Sequence, residues 1–191
     1  FDLDGMKVTV SGVFGDVRQE DGSWTSDTSM AVTFSASADV DGVTGAVKKF
    51  FEEYNAMVTE VNKQITTRPD SSYGPLTDAQ KAEMTETSIE NWEKKAKEGL
   101  LFNDATMRSL SMDLQSVMTQ MLNSGISYQD LEEMGITMSD DYLDGGTITF
   151  NEVKFRAAMT SDPDKVSNVF TGGSSVTKGF TNIVEDTLTT Y

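Results

Sequence analysis

The sequence contains no cysteine and no histidine. Those two absences exclude zinc centres, disulfides, cysteine nucleophiles and histidine-based triads within its 191 residues. Catalysis would have to come from carboxylates, lysine, serine, threonine or tyrosine gathered in one place. Proline is scarce, at three residues, and cations are outnumbered, 15 Lys and Arg against 31 Asp and Glu. The resulting net charge of -16 repels phosphate backbones and anionic lipid, so neither nucleic acid nor membrane is expected as a partner. The sequence shows no signal-peptide or transmembrane pattern. It opens on Phe1, and the expectation is a piece of a longer protein.

What is present is helical patterning. Val43, Val47, Phe50, Tyr54, Val58, Val61 and Ile65 recur at gaps of three and four, the spacing of one helix face. Phe51 and Met57 widen that stripe. Asp39 and Asp41 stand where carboxylates cap free amides and favour the positive end of the helix dipole, and Pro69 marks the stop. About 25 residues give a rod of roughly 40 Å. Burying its large apolar side chains stabilises by on the order of 10–20 kcal/mol, so the stripe demands partners.

Residues 1–38 have a different period. Met6, Val8 and Val10, and later Met30, Val32, Phe34 and Ala36, alternate with small or polar residues and read as two strands. The Gly-, Asp- and Ser-rich segment between them reads as a long loop or connection. Two strands alone are marginal in water, so they are expected to belong to a larger β-rich domain.

Residues 39–191 read as one helical domain. Thr77 with Gln80 and Thr87 with Glu90 form capping boxes that open two short helices in an outgrowth over residues 75–99, anchored by Trp92 and ended by Gly99. A second long helix starts near Asn103 or Asp104 and carries Met107, Leu110, Leu114, Val117 and Met121, with Met118 and Leu122 alongside. Leu131, Met134 and Ile136 cluster around Gly135. A hairpin follows within residues 136–150, with its turn at Asp144-Gly145-Gly146. Asn151 caps a helix with Val153, Ala157 and Ala158 inside it, and Asp162-Pro163 opens another that Gly172-Gly173 ends. Val176, Phe180, Ile183, Thr187 and Tyr191 continue the helical spacing. The expected fold is mainly α with β additions (α+β). It is an antiparallel bundle of long amphipathic helices with a small β-hairpin, plus two strands from the β-rich domain.

No constellation carries strong chemistry. From Asp141 to Glu152 the first, sixth, eighth and twelfth positions of a calcium loop fit, but Leu143 and Gly145 occupy two ligand positions, so the glycine hairpin is the better reading. Glu52-Glu53, Glu132-Glu133 and Asp140-Asp141 are neighbours. Neighbours on a helix point about 100° apart and do not converge on one substrate atom. A carboxylate hydrolase would need two acids facing each other across a cleft. Lys94, Lys95 and Lys97 make a small basic patch, and Ser109, Ser111 and Ser116 lack a histidine base. The eleven methionines read as core filling. No cofactor and no metal is expected.

Four stretches together resemble the flagellar filament capping protein family, also called flagellar hook-associated protein 2. They are Phe50-Phe51-Glu52-Glu53-Tyr54-Asn55-Ala56-Met57-Val58 with Val61-Asn62, and Gly99-Leu100-Leu101-Phe102-Asn103-Asp104 through Leu110. Leu131-Glu132-Glu133-Met134-Gly135-Ile136-Thr137 and Gly146-Thr147-Ile148-Thr149-Phe150-Asn151-Glu152 follow, with Lys154, Ala157-Ala158, Asp162-Pro163 and Val166 through Phe170 after them. Their order over about 140 residues carries the resemblance, and residues 75–97 look like an insertion variant. The resemblance implies a secreted, extracellular, non-enzymatic subunit at the flagellum tip, in which a helical leg supports β-rich heads. It implies a ring-shaped homo-oligomer, flagellin as the partner, and an export chaperone reached through segments not present here. Some members serve as adhesins, so a head that binds mucin or glycan is the rival reading. The family-signature packing positions implied are Phe50, Phe51, Tyr54, Asn55, Val58, Leu110, Leu114, Gly135, Ile136 and Phe170, with Tyr54 and Asn55 fixing the bundle.

Overall fold

The computed structural model describes residues 2–3, 6–10, 16–26, 34–37, 39–139, 145–173 and 175–191. The calcium-loop reading at residues 141–144, the pair Asp140-Asp141, and Met30 and Val32 lie outside them. The elements run β1 (Asp2–Leu3), β2 (Met6–Val10), β3 (Asp16–Arg18), β4 (Trp24–Ser26), β5 (Phe34–Ser37), α1 (Val40–Thr66), α2 (Asp78–Ala82) and α3 (Glu86–Lys97). Then come α4 (Ala105–Asn123), α5 (Tyr128–Glu133), β6 (Ile136–Met138), β7 (Ile148–Phe150), α6 (Glu152–Ser161), α7 (Pro163–Thr171) and α8 (Phe180–Thr189). The fold is mainly α with β additions.

In the first segment β2 pairs antiparallel with both β1 and β5, with Val8 opposite Ala36 and Leu3 opposite Met6. The segment read as a loop contains a short hairpin instead. There β3 pairs with β4 and sets Arg18 opposite Trp24. Its three-residue strands are too short to show a period, which is why the glycine, aspartate and serine around them dominate the pattern.

Helix α1 organises the rest. Asp39 caps it by accepting the Gly42 amide at 3.0 Å. The buried line is Thr44, Val47, Phe51, Tyr54, Val58 and Val61, at gaps of three and four. The face is therefore centred on Phe51. Phe50 is half-buried, Val43 is exposed and Ile65 is partly covered. A polar member, Thr44, holds the position that Val43 was expected to fill; its hydroxyl donates to the Val40 carbonyl at 2.6 Å and so enters the core satisfied.

Helix α4 runs antiparallel to α1. Asn103 N donates to Ile65 O, Ser111 Oγ to Asn62 Oδ1, and Tyr54 OH to Leu114 O, so one helix descends as the other rises. Asp104 caps α4, and Leu114, Val117, Met118 and Met121 are buried, while Leu122 is exposed. Helix α8 in turn runs antiparallel to α4, since Thr177 N donates to Ser124 O at one end and Tyr191 OH to Asp113 Oδ2 at the other. Phe180, Ile183, Val184 and Thr187 face inward, and Tyr191 lies beyond the helix, exposed.

One expectation within the helices needs correction. Thr85, not Thr87, caps α3, and its hydroxyl accepts the Ser88 amide; Thr87 is the second residue of the helix and is exposed. Asn151 caps α6 as expected, with Val153, Ala157 and Ala158 within the helix, and its buried side chains are Phe155 and Met159. The outgrowth behaves as a satellite, because neither α2 nor α3 buries a residue. Trp92 ties it down through Nε1 to Gly74 O at 2.8 Å and an edge-on contact with Tyr73.

Candidate functional site

The most constructed region lies where α1 meets the β6–β7 hairpin and α4. In the hairpin, Thr137 opposes Thr149 and Met138 opposes Ile148, so Ile148 turns its backbone groups away from β6 and toward α1. Asn55 meets them with both ends of its amide. Nδ2 donates to Ile148 O at 2.8 Å, and Oδ1 accepts from Ile148 N at 2.8 Å. Asn62, two helical turns later, donates to Gly145 O at 3.3 Å. Two turns of helix advance about 10.5 Å, and three extended residues advance about 10 Å, so the two asparagines match the rise of the strand. Ser111 of α4 completes the set by donating to Asn62 Oδ1 at 2.6 Å.

Tyr54 adds a third tie. Its hydroxyl lies 2.9 Å from Leu114 O and 3.4 Å from Gly146 O, joining α1, α4 and the hairpin at one atom. Burial pushes this phenol well above its usual value of 10.0. The turn must come close for this to work. Gly146 has φ 101°, and a Cβ there would lie 2.8 Å from the Cα of Gln115.

Beside the polar ties sits an aromatic cluster. Phe51 contacts the rings of Phe50, Phe150, Phe170 and Phe180 at centroid distances of 5.3–6.1 Å. Phe155 bridges Phe150 and Phe170, and both Phe155 and Phe180 are fully buried. Mostly edge-on geometry places ring hydrogens on π faces, which adds to the burial term. Of the sequence candidates, Phe50, Phe51, Tyr54 and Phe170 meet here and Asn55 grips Ile148. Val58 and Leu114 are buried, and Leu110 packs against them half-covered. Gly135 and Ile136 sit at the far end of the hairpin, where Gly135 has φ 76° and Asn151 N donates to its carbonyl at 2.7 Å. Asn62, Phe150, Phe155 and Phe180 belong to the same arrangement and fell outside the candidate set.

Ion pairs fasten the periphery. Lys165 of α7 reaches Asp130 of α5 at 2.5 Å, and its hydrogen bond holds that carboxyl below the usual range, with Ser127 adding to the effect. Arg156 and Lys48 do the same for Glu152. An apolar groove of about 370 Å³ opens between α1, α6, α7 and α8, lined by Val43, Phe50, Met159, Pro163, Val166 and Phe170 among others. Glu52, Glu53, Glu132 and Glu133 are all exposed, and Glu53 pairs with Lys49. Among the described residues no group of three or more His, Cys, Asp or Glu is placed to hold a metal ion, and no helix is long and apolar enough to cross a membrane. The arrangement joins helices.

Residues 4–191 match the family model described as flagellar hook-associated protein 2 C-terminus. The chain is 33% identical over 166 residues to flagellar hook-associated protein 2 of Halalkalibacterium halodurans, a match covering 87% of this chain and 30% of the relative. It is 28% identical over 148 residues to the B-type flagellar hook-associated protein 2 of Pseudomonas aeruginosa, covering 77% and 26%. With flagellar hook-associated protein 2 of Thermotoga maritima it shares 27% over 166 residues, covering 84% and 24%. The matched region is thus about a quarter to a third of each of these curated relatives. No solved structure matches significantly.

Proposed function

The chain belongs to the flagellar hook-associated protein 2 family, and from that premise we propose that it forms the C-terminal part of a structural subunit of the bacterial flagellar filament cap. In this reading the full-length subunits assemble as a ring at the filament tip, outside the cell, and promote the folding and polymerisation of flagellin. Residues 1–38 end a β-rich head, and residues 39–191 make up most of a helical leg, with the outgrowth at 75–99 and the hairpin at 136–150. Self-association, flagellin and an export chaperone are the partners assigned to the full-length protein. Its role is mechanical and not catalytic.

The observation that carries this reading is the junction centred on α1. One long helix is tied to α4, to the hairpin and to α8 by a continuous apolar core and by the fixed bonds of Tyr54, Asn55 and Asn62. A close-packed core resists bending, which suits a strut that holds heads above a growing polymer. The signature residues serve that stiffness: Phe50, Phe51, Tyr54, Val58, Leu110, Leu114 and Phe170 by packing, Asn55, Gly135 and Ile136 by seating the hairpin. No specific observation favours the adhesin reading.

The test is a strain lacking the full-length gene, complemented with the full-length protein. Loss of swimming with excess flagellin monomer in the medium, both restored by the wild-type protein and not by Phe51→Asp, is the expected result. A deletion strain that swims normally and releases no excess flagellin overturns the proposal.

A further inference from the structure

We propose that the first two turns of α1, residues 40–46, are a weak joint that an ion-pair latch holds against α6. Two glycines lie in this stretch, and glycine is the poorest helix former after proline. Gly42 has a steric reason to be there. A Cβ at that position would fall 2.3 Å from a carboxylate oxygen of Asp39, so glycine is what lets the cap fold over the first turn. Gly45 has none: a Cβ there would meet nothing within 4 Å, and the residue is exposed. The helix is thus loosened at a position where alanine would fit.

Burial does not compensate for this. Within the stretch only Thr44 is buried, whereas Val47, Phe51, Tyr54, Val58 and Val61 all are beyond it. From outside, the stretch is held by the part-buried packing of Val40 on the core and by charge. Arg156 of α6 donates to Asp41 and is itself anchored to Glu152 by Nε at 3.2 Å and Nη2 at 3.1 Å. Lys48 reaches Glu152 from the next turn at 3.4 Å. Asp41 is 87% exposed, so the latch is open to screening by salt. The stretch lies in sequence between β5 and the packed length of α1. Its opening would let the strands swing without disturbing the aromatic cluster. That consequence rests on the division at residue 39 proposed above; the local weakness does not.

Hydrogen exchange followed by mass spectrometry tests it on the protein, on Gly45→Ala and on Asp41→Asn. Amides 44–47 are expected to exchange at least about tenfold faster than amides 54–61. Gly45→Ala slows them about fivefold. Asp41→Asn speeds them about two- to threefold, and about 0.5 M salt does the same to the wild type but adds nothing in the variant. Amides 54–61 change by no more than the shift in global stability that thermal unfolding reports for each variant. Equal protection along the helix, no response to Gly45→Ala, or an equal response to salt in wild type and Asp41→Asn overturns the joint. Exchange reads the joint alone, and the complementation assay reads the cap proposal alone, so either can fail without the other.

Discussion

The amide of Asn55 is hydrogen-bonded to both backbone groups of Ile148, 2.8 Å in each direction. A side chain thereby takes the place of a neighbouring strand at the edge of β7 and docks a two-stranded hairpin, marginal alone, onto a helix. Asn55→Leu keeps the size and removes both bonds, leaving a part-buried N–H and C=O without partners. The expected loss is about 2–3 kcal/mol in urea unfolding. Asn55→Asp keeps the acceptor for Ile148 N–H but sets a second oxygen against the Ile148 carbonyl. That repulsion raises the carboxyl above the ordinary value of about 3.9 in the folded state. The native state therefore binds the extra proton, so the deficit against wild type is small below about pH 4 and widens as pH rises through the raised value. A deficit independent of pH would show that Asn55 does not bond Ile148 in both directions.

Tyr54 carries a second prediction. Its hydroxyl spans Leu114 O and Gly146 O, and burial raises its pKa. A tyrosine whose folded-state value lies above the unfolded value of about 10 stays protonated when the unfolded chain has begun to ionise. Its stabilising contribution is complete below about pH 10 and falls as pH climbs beyond it. Tyr54→Phe should cost about 1 kcal/mol at pH 7, and its unfolding free energy should fall less steeply than wild type between about pH 9 and 11. Parallel pH profiles for the two proteins would contradict the burial of this hydroxyl.

How far the sequence reveals this arrangement depends on whether the signal is local. The caps at Asp39, Thr77, Asp104, Asn151 and Asp162 are local, and each is found where its residue type implies. The phase of the α1 face is less so, because Phe50 and Phe51 are both apolar and the decisive member, Thr44, is polar. The α3 cap is ambiguous for a similar reason. Thr85, Thr87 and Ser88 all qualify by type, and only the Thr85–Ser88 bond decides. The strand-like role of Asn55 has no local signature. It depends on Ile148, 93 residues away, arriving with its backbone turned outward. Phe180 is legible as a face residue and Phe155 is not, and neither shows its partners locally: Phe155 touches two rings and Phe180 four, brought together from separate elements.

Gly135 supplies a third prediction, on backbone geometry. It ends the α5 turn at φ 76°, where an L side chain is strained, and a Cβ would lie 2.6 Å from Asn151 O. That oxygen belongs to the residue that both closes the hairpin and caps α6, so it has no room to retreat. Gly135→Ala should cost about 2–4 kcal/mol, from positive φ and from steric displacement together. Thermal unfolding compared with Gly45→Ala isolates the cause. The same substitution at Gly45, where the helix is ordinary and the space is open, should stabilise by about 1 kcal/mol. Two destabilised variants would mean that the open space at Gly45 is not there.

The outgrowth should come apart without the bundle. Helices α2 and α3 bury nothing of their own, and the Lys81–Glu93 pair at 2.6 Å is solvent-exposed and contributes little. Its order depends on Trp92, through the bond to Gly74 O and the ring contact with Tyr73 at 4.8 Å. Trp92→Leu removes the donor and the aromatic edge but leaves α1, α4 and their shared core intact. Trypsin should then cut at Lys81, Lys94, Lys95 and Lys97 about tenfold faster, the change in opening that a loss of roughly 1–2 kcal/mol produces. The urea midpoint of the bundle, followed by circular dichroism, should move by less than about 0.5 kcal/mol equivalent. Phe51→Ala is the opposite case, lowering the unfolding free energy of the bundle by about 3–5 kcal/mol because four other rings converge on Phe51. If Trp92→Leu lowers the bundle midpoint to a similar degree, the outgrowth is part of the cooperative core, and the stiffness attributed to α1 must be shared with it.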